Sequence, residues 1–310
     1  MATTNEFCHR TDKYNNWVKG VTGLKYLQNG LRPFTEKVIQ NVHTDILHTY
    51  GKCGNCILEN ISPAHAKHGC IQRRRCNCSK KDTTHCRVCS AVYDRIIIEH
   101  RFVDPNWDID FLNFYNDPWQ FARCFMTNMA KKSNTTAEDA DEGCLLSIII
   151  NGNFFQNKLD IIVDGENDIF TKIRKARNVM MHNIPQLSDD EVEGYLKDMI
   201  AVLKDPKALL YDSEAQAAVT HLETLLNTRL ILTTDMEKKA IESTLSVIED
   251  VGTQCEEVSN LHKIRFQEIV EKETLRCQEK LQDLTNESIE KIRKETDNSL
   301  KGLQRERKNA

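Results

Sequence analysis

No apolar run in the chain is long enough to cross a bilayer: the nearest, Cys144 to Ile150, falls far short of the roughly 18 residues a spanning helix requires. The opening residues, Met1 to Phe7, lack a basic stretch followed by an apolar one, so no secretory leader is expected and the protein is expected in the cytosol or nucleus. An excess of one charge is missing too, since 42 Lys and Arg face 46 Asp and Glu for a formal net charge of −4. That balance removes any global attraction to nucleic acid or to a membrane surface and leaves such binding to a local basic patch. Proline ends at Pro206, and aromatic residues almost vanish beyond it. In their place, charges of both signs interleave and apolar residues fall three or four apart, as in Val219-Leu222-Leu225-Leu226 and Ile241-Leu245-Ile248. The heptad phase slips and Gly252 interrupts it, which predicts a long helical hairpin or imperfect coiled coil over 206–310, with a solvated single helix as the alternative.

What is present upstream reads as helix. Apolar residues recur at helical spacing through Trp17, Val21, Leu24, Leu27, Leu31, Phe34, Val38, Val42 and Ile46, giving one long helix or two, because Pro33 cannot supply the amide that a helix interior needs. Trp119, Ala122 and Phe125-Met126 suggest another within the aromatic-rich stretch 93–128. Thr136 with Asp139 reads as a capping box opening a helix through Leu145, Leu146, Ile148 and Ile149. An amphipathic helix is expected from about Asp168 to His182, stopped by Pro185. Ser188 with Glu191 forms a second capping box, ahead of Val192, Tyr195, Leu196, Met199, Ile200 and Leu203. The fold class is all-α.

The segment 51–92 has little apolar periodicity and holds most of the twelve cysteines. In a reducing compartment such clustering points to metal rather than to a disulfide framework. Thiolates bind zinc when four can reach a tetrahedron, and a Cys-x-x-Cys pair supplies two from one tight turn. Cys53-x-x-Cys56 and Cys86-x-x-Cys89 both have that spacing, with Cys70, Cys76, Cys78, His65, His68 and His85 between them. The spacing predicts a metal and leaves open which four residues hold it. Cys8, Cys124, Cys144, Cys255 and Cys277 are scattered and read as packed or free thiols. Arg73-Arg74-Arg75, with Lys80, Lys81 and Arg87, forms a basic patch that either lies along phosphates or is a solvated face.

Arg177-Asn178-Val179-Met180-Met181-His182 closes the helix whose buried stripe is Ile169, Phe170, Ile173, Ala176 and Met180. Asn178 and His182 are four apart and share a face, Arg177 flanks them, and the helix C-terminus favours the imidazolium of His182. A guanidinium, an amide and a titrating imidazole around one point are the groups that cleave RNA without a metal: the imidazole moves a proton and the guanidinium stabilises the charged phosphorane. The plainer alternative is a surface arginine and a histidine that caps a helix.

The stretch Cys144–Asn151, then Ile173-Arg174-Lys175-Ala176-Arg177-Asn178 with His182 and the Leu187–Leu203 helix, resembles the HEPN domain of the DAZ-interacting zinc-finger ubiquitin ligase type. Tyr14-Asn15-Asn16-Trp17-Val18-Lys19, the Cys70-x5-Cys76-x9-Cys86-x-x-Cys89 spacing, Trp119 with Phe125-Met126, and the Arg177–His182 motif resemble more closely an animal family named after an X-chromosome open reading frame. The similarity covers roughly residues 10–205 and implies a HEPN-like helical bundle with an inserted zinc-binding segment at 51–92; the charged region 206–310 shares only helical character with the family, and its coiled-coil reading rests on the apolar spacing. It implies that Arg177, Asn178 and His182 occupy the family's ribonuclease positions, that Cys70, Cys76, Cys86 and Cys89 hold zinc with Cys53, Cys56 and a nearby His or Cys as a second site, and that the protein is a homodimer. The cysteine series of a RING is missing after the domain, so ligase activity does not carry over. The expected function is a dimerising scaffold or RNA-binding protein, with a metal-independent endoribonuclease as the alternative.

Overall fold

The computed structural model describes residues 4–53, 56–65, 76–80, 82–101, 104–110, 113–127, 136–182, 187–227, 235–236 and 238–245, and of residues 4–11, 59, 79 and 182 the backbone alone. The named helices follow in order: α1 (Thr4–Tyr50), α2 (Arg87–Glu99), α3 (Pro118–Arg123), α4 (Glu142–Asn151), α5 (Ile169–His182), α6 (Asp189–Leu203) and α7 (Ser213–Asn227), and residues 238–245 are helical as well. Single 3-10 turns lie at Leu58–Asn60, Asn77–Ser79 and Asn153–Phe155, and extended pairing among the described residues is limited to two isolated bridges. The all-α expectation holds. Among the described residues no helix is long and apolar enough to cross a membrane.

Helix α1 is the spine. Its 47 residues span about 70 Å, and α3, α4, α5, α6 and α7 all pack along it. Its periodic stripe buries as read, with Trp17, Val21, Leu24, Leu27, Leu31, Val38 and Ile46 in the core and Phe34 and Val42 partly covered. The helix passes through Pro33 unbroken. Buried residues flank Pro33 on both sides, Leu31 before it and Thr35, Val38 and Ile39 after it, and that burial outweighs the missing amide. The helix ends where Gly51, at φ +83°, turns left-handed and returns its amide to the Leu47 carbonyl at 3.0 Å.

Three glycines of α1 set how closely the neighbours approach. A Cβ at Gly20 would lie 2.5 Å from Met180 Sδ, and one at Gly23 would lie 2.5 Å from Leu196 Cδ2. At Gly30 it would meet Leu203 Cδ2 at 2.8 Å and Ala218 Cβ at 3.0 Å. Specific polar ties fix the register: Trp17 Nε1 donates to the Met180 carbonyl at 2.8 Å, and Gln28 Nε2 donates to the Ala140 carbonyl at 2.6 Å.

The Ser188–Glu191 capping box forms at the start of α6. The Thr136–Asp139 box also forms its reciprocal hydrogen bonds, but it closes a turn, and α4 starts later with Asp141 as its N-cap, accepting from the Cys144 amide at 2.7 Å. Ala140, fully buried between the two, separates the turn from the helix. Helix α7 lies beyond residue 205 yet packs on both α1 and α6, so the bundle does not stop where composition changes. Asp205 welds that junction: its buried carboxylate accepts the amides of Asp160, Ile161, Lys207 and Ala208 at 2.9–3.0 Å. The chain divides into units Met1–Asp250 and Val251–Ala310, and the second, with the coiled-coil expectation for it, lies outside the described residues.

Candidate metal centre

The loop that leaves α1 and the helix that follows it bring two Cys-x-x-Cys pairs together. Cys53 and Cys56 sit just after Gly51; Cys86 is the N-cap of α2 and Cys89 lies in its first turn. The four sulfurs lie within 4.8 Å of one another. Cys53 Sγ is 3.7 Å from Cys56 Sγ and 3.9 Å from Cys86 Sγ. A tetrahedral zinc about 2.3 Å from each sulfur would hold them about 3.8 Å apart, so the donor set and its spacing fit that ion.

The electrostatics suit thiolates unequally. The Cys89 amide at the helix N-terminus, then the thiols of Cys89, Cys56 and Cys53, pull Cys86 down to about 7. Burial, followed by the hydrogen bonds of Cys53 and Cys86, pushes Cys56 up to about 11. Burial also raises Cys89, although the Tyr115 hydroxyl, 3.1 Å from its sulfur, opposes that shift. Thiols such as Cys56 and Cys89, which burial keeps from ionising in the absence of a cation, belong to a cluster that a cation would complete.

The zinc set Cys70, Cys76, Cys86 and Cys89 is divided by this geometry. Cys86 and Cys89 join Cys53 and Cys56, whereas Cys76 groups with His65 and Cys78, and Cys70 lies outside the described residues. The reason is topological: α2 begins inside the cysteine segment, at Arg87, and its N-terminus faces the end of α1 rather than the loop carrying Cys76. The stripe Val92, Tyr93, Ile96 and Ile97 was the available signal for that helix. Cys124 and Cys144 are buried thiols, and the eight cysteines with described side chains are all free of disulfides. Arg73, Arg74 and Arg75 fall outside the described residues; Arg87 is exposed at the start of α2, and Lys80 donates to Asn60 Oδ1 at 2.8 Å.

The second expected site resolves differently. On α5, Phe170, Ile173, Ala176 and Met180 bury as read, and Arg177 buries with them at 8 % exposure. Its Nε donates to Glu142 Oε1 at 3.0 Å, and one Nη donates to Asp141 Oδ2 at 2.8 Å. Burial works against its charge, but Glu142 and Asp141 outweigh that and raise its pKa further. Burial, with the neighbouring Asp141 charge, raises the Glu142 carboxyl against the pull of Arg177. Asn178, the next residue, is exposed, so the helix turns the guanidinium and the amide in different directions. The side chain of His182 lies outside the described residues.

A family described as a domain of unknown function (DUF4559) matches residues 9–309. A mouse (Mus musculus) protein named uncharacterized protein CXorf38 homolog is 27% identical over 178 residues, which cover 55% of this chain and 48% of the relative. The chain therefore spans about half the length of the curated relative it matches, in keeping with the resemblance to a family named after an X-chromosome open reading frame. No solved structure matches the chain significantly. Because the family match runs over almost the whole length, the chain belongs to the DUF4559 family.

Proposed function

We propose that the chain is a non-catalytic scaffold: a HEPN-like bundle that dimerises, with zinc bound by Cys53, Cys56, Cys86 and Cys89 pinning the segment after α1 to the start of α2. The observation that carries the non-catalytic part is the engagement of Arg177. A transition-state stabiliser needs donors aimed at the reacting phosphate, yet Nε and one Nη of Arg177 already serve two carboxylates whose negative charge would repel a phosphate. Those carboxylates are fixed in turn by the N-terminus of α4, where Asp141 caps the helix and Glu142 is buried. Arg177 is on this reading a clamp between α4 and α5. Zinc held by four protein sulfurs supplies folding energy and leaves no coordination position for a reacting water.

The full chain, purified with its metal and incubated with structured RNA with and without EDTA, should leave the RNA intact, and His182→Ala should behave identically. Arg177→Ala should lower stability by about 3 kcal/mol in urea unfolding, the order expected when one partner of a buried ion pair is removed. RNA cleavage by the wild type that disappears in His182→Ala would overturn the scaffold reading in favour of the endoribonuclease.

A further inference from the structure

A second cluster lies away from the four-thiol centre and takes no part in the function proposed above. The loop after the first cysteine pair returns along α2 through a bridge between Ile61 and Thr84, with the Ser62 amide on the Thr84 carbonyl and the Thr84 amide on the Asn60 carbonyl, each at 2.9 Å. This pairing places His65 beside the 3-10 turn that follows Cys76. His65 Nε2 lies 2.9 Å from Cys78 Sγ and 3.4 Å from Cys76 Sγ, and the two sulfurs are 3.0 Å apart.

The other side of the imidazole carries the argument. Asp94 on α2 takes the His65 ring at Nδ1 through Oδ1, 2.8 Å, and the His65 backbone amide through Oδ2, also 2.8 Å. A carboxylate that accepts from Nδ1 fixes the tautomer so that Nε2 presents a lone pair, and it raises the basicity of that nitrogen; metal-ligating histidines are held in this way. The lone pair here is aimed at two sulfurs. The turn bearing them is fixed to the same helix, because the Asn77 amide donates to the Tyr93 hydroxyl at 3.0 Å, and Asn77 Nδ2 donates to the Ile61 carbonyl at 2.8 Å.

We infer that His65, Cys76 and Cys78 bind a second zinc ion, with Asp94 as the residue that positions the histidine. An imidazole and two thiolates are a donor set that selects zinc over the hard cations, which prefer oxygen. Donors around a tetrahedral zinc stand about 3.5–3.8 Å apart. The Cys76–His65 edge already does so within about 0.1 Å, and Cys78 must move outward by less than about 1 Å. Both ions would then grip α2, one at its N-cap and the other through Asp94, one turn beyond Ser90.

The full chain loaded with zinc and freed of excess ion should contain two ions by elemental analysis. Cys78→Ala should contain one, and Cys56→Ala should also contain one, so loss of either site is read separately. Asp94→Asn keeps every ligand and should weaken one of the two ions by about 10–100-fold in competition with a chelating dye while leaving the other unchanged. Cobalt in place of zinc should lose part of its sulfur-to-metal charge-transfer absorption in Cys78→Ala. A wild-type chain with one ion, a Cys78→Ala chain with two, or an Asp94→Asn competition curve identical to wild type would overturn the second site.

Discussion

His43 shows how one side chain of the spine couples stability to pH. It is 3 % exposed on α1, and its Nε2 meets the Phe114 carbonyl at 2.8 Å. Burial lowers its pKa, and Lys52 adds to this, while the Phe114 carbonyl and Asp117 oppose it without reversing the direction. A histidine whose folded value is depressed contributes its stability above the ordinary value of about 6.5, and that contribution is lost as pH falls toward the folded value, because the unfolded chain takes up the proton first. The urea midpoint should therefore fall between pH 7 and pH 5, and His43→Gln should flatten that dependence; an unchanged slope would show that the ring does not titrate as described. Residues of this kind are not legible from one sequence. His43 lies on a recognisable helix, but the carbonyl that holds it is 71 positions away. Arg177 repeats the lesson: its motif was visible, while the carboxylates that engage it lie 35 and 36 positions upstream.

At the scale of elements, local chemistry was readable and junctions were not. The Ser188–Glu191 box works as its four-residue pattern implies because every group in it belongs to one turn. The stripe of α1 was equally plain, although its passage through Pro33 was not, since only the neighbouring helices decide whether a break is tolerated. Gly20, Gly23 and Gly30 carried a signal in their shared helical face, visible once α6 and α7 are seen against it. They allow a sharp test. Gly30→Ala gains helix propensity but places a methyl against Ala218 Cβ and the Ala215 backbone, so the bundle should lose about 1 kcal/mol on balance. Gly194→Ala on α6, where nothing lies within 4 Å of the new methyl, should gain up to about 1 kcal/mol in the same urea titration.

At the scale of the molecule, the cysteine-rich segment proposed to bind zinc and the bundle differ in what stabilises them. The bundle buries the stripes of α1, α4, α5, α6 and α7, whereas the described residues between Cys53 and Cys86 contribute little more than Leu58 and Ile61 to the core. Stripping the metal with a chelator should leave most of the helical circular dichroism in place and open new protease sites between residues 53 and 86, with readdition of zinc closing them. Unfolding of the entire chain on chelation would show instead that the ions hold the bundle itself. The clustered cysteines made a metal-capable segment legible in the sequence, but their partition into two groups followed from where α2 begins, which no spacing rule states.

The length and position of α1 also bear on how the protein is made. Its partners in α5, α6 and α7 arrive late: the Trp17 indole must wait for the Met180 carbonyl, 163 residues further along. At about 5–20 residues per second of synthesis, the face of α1 that α5, α6 and α7 cover therefore leaves the ribosome many seconds before those helices do. That delay leaves part of the α1 stripe uncovered during synthesis, so co-expression of chaperones that shield apolar helices is expected to raise the yield of folded protein.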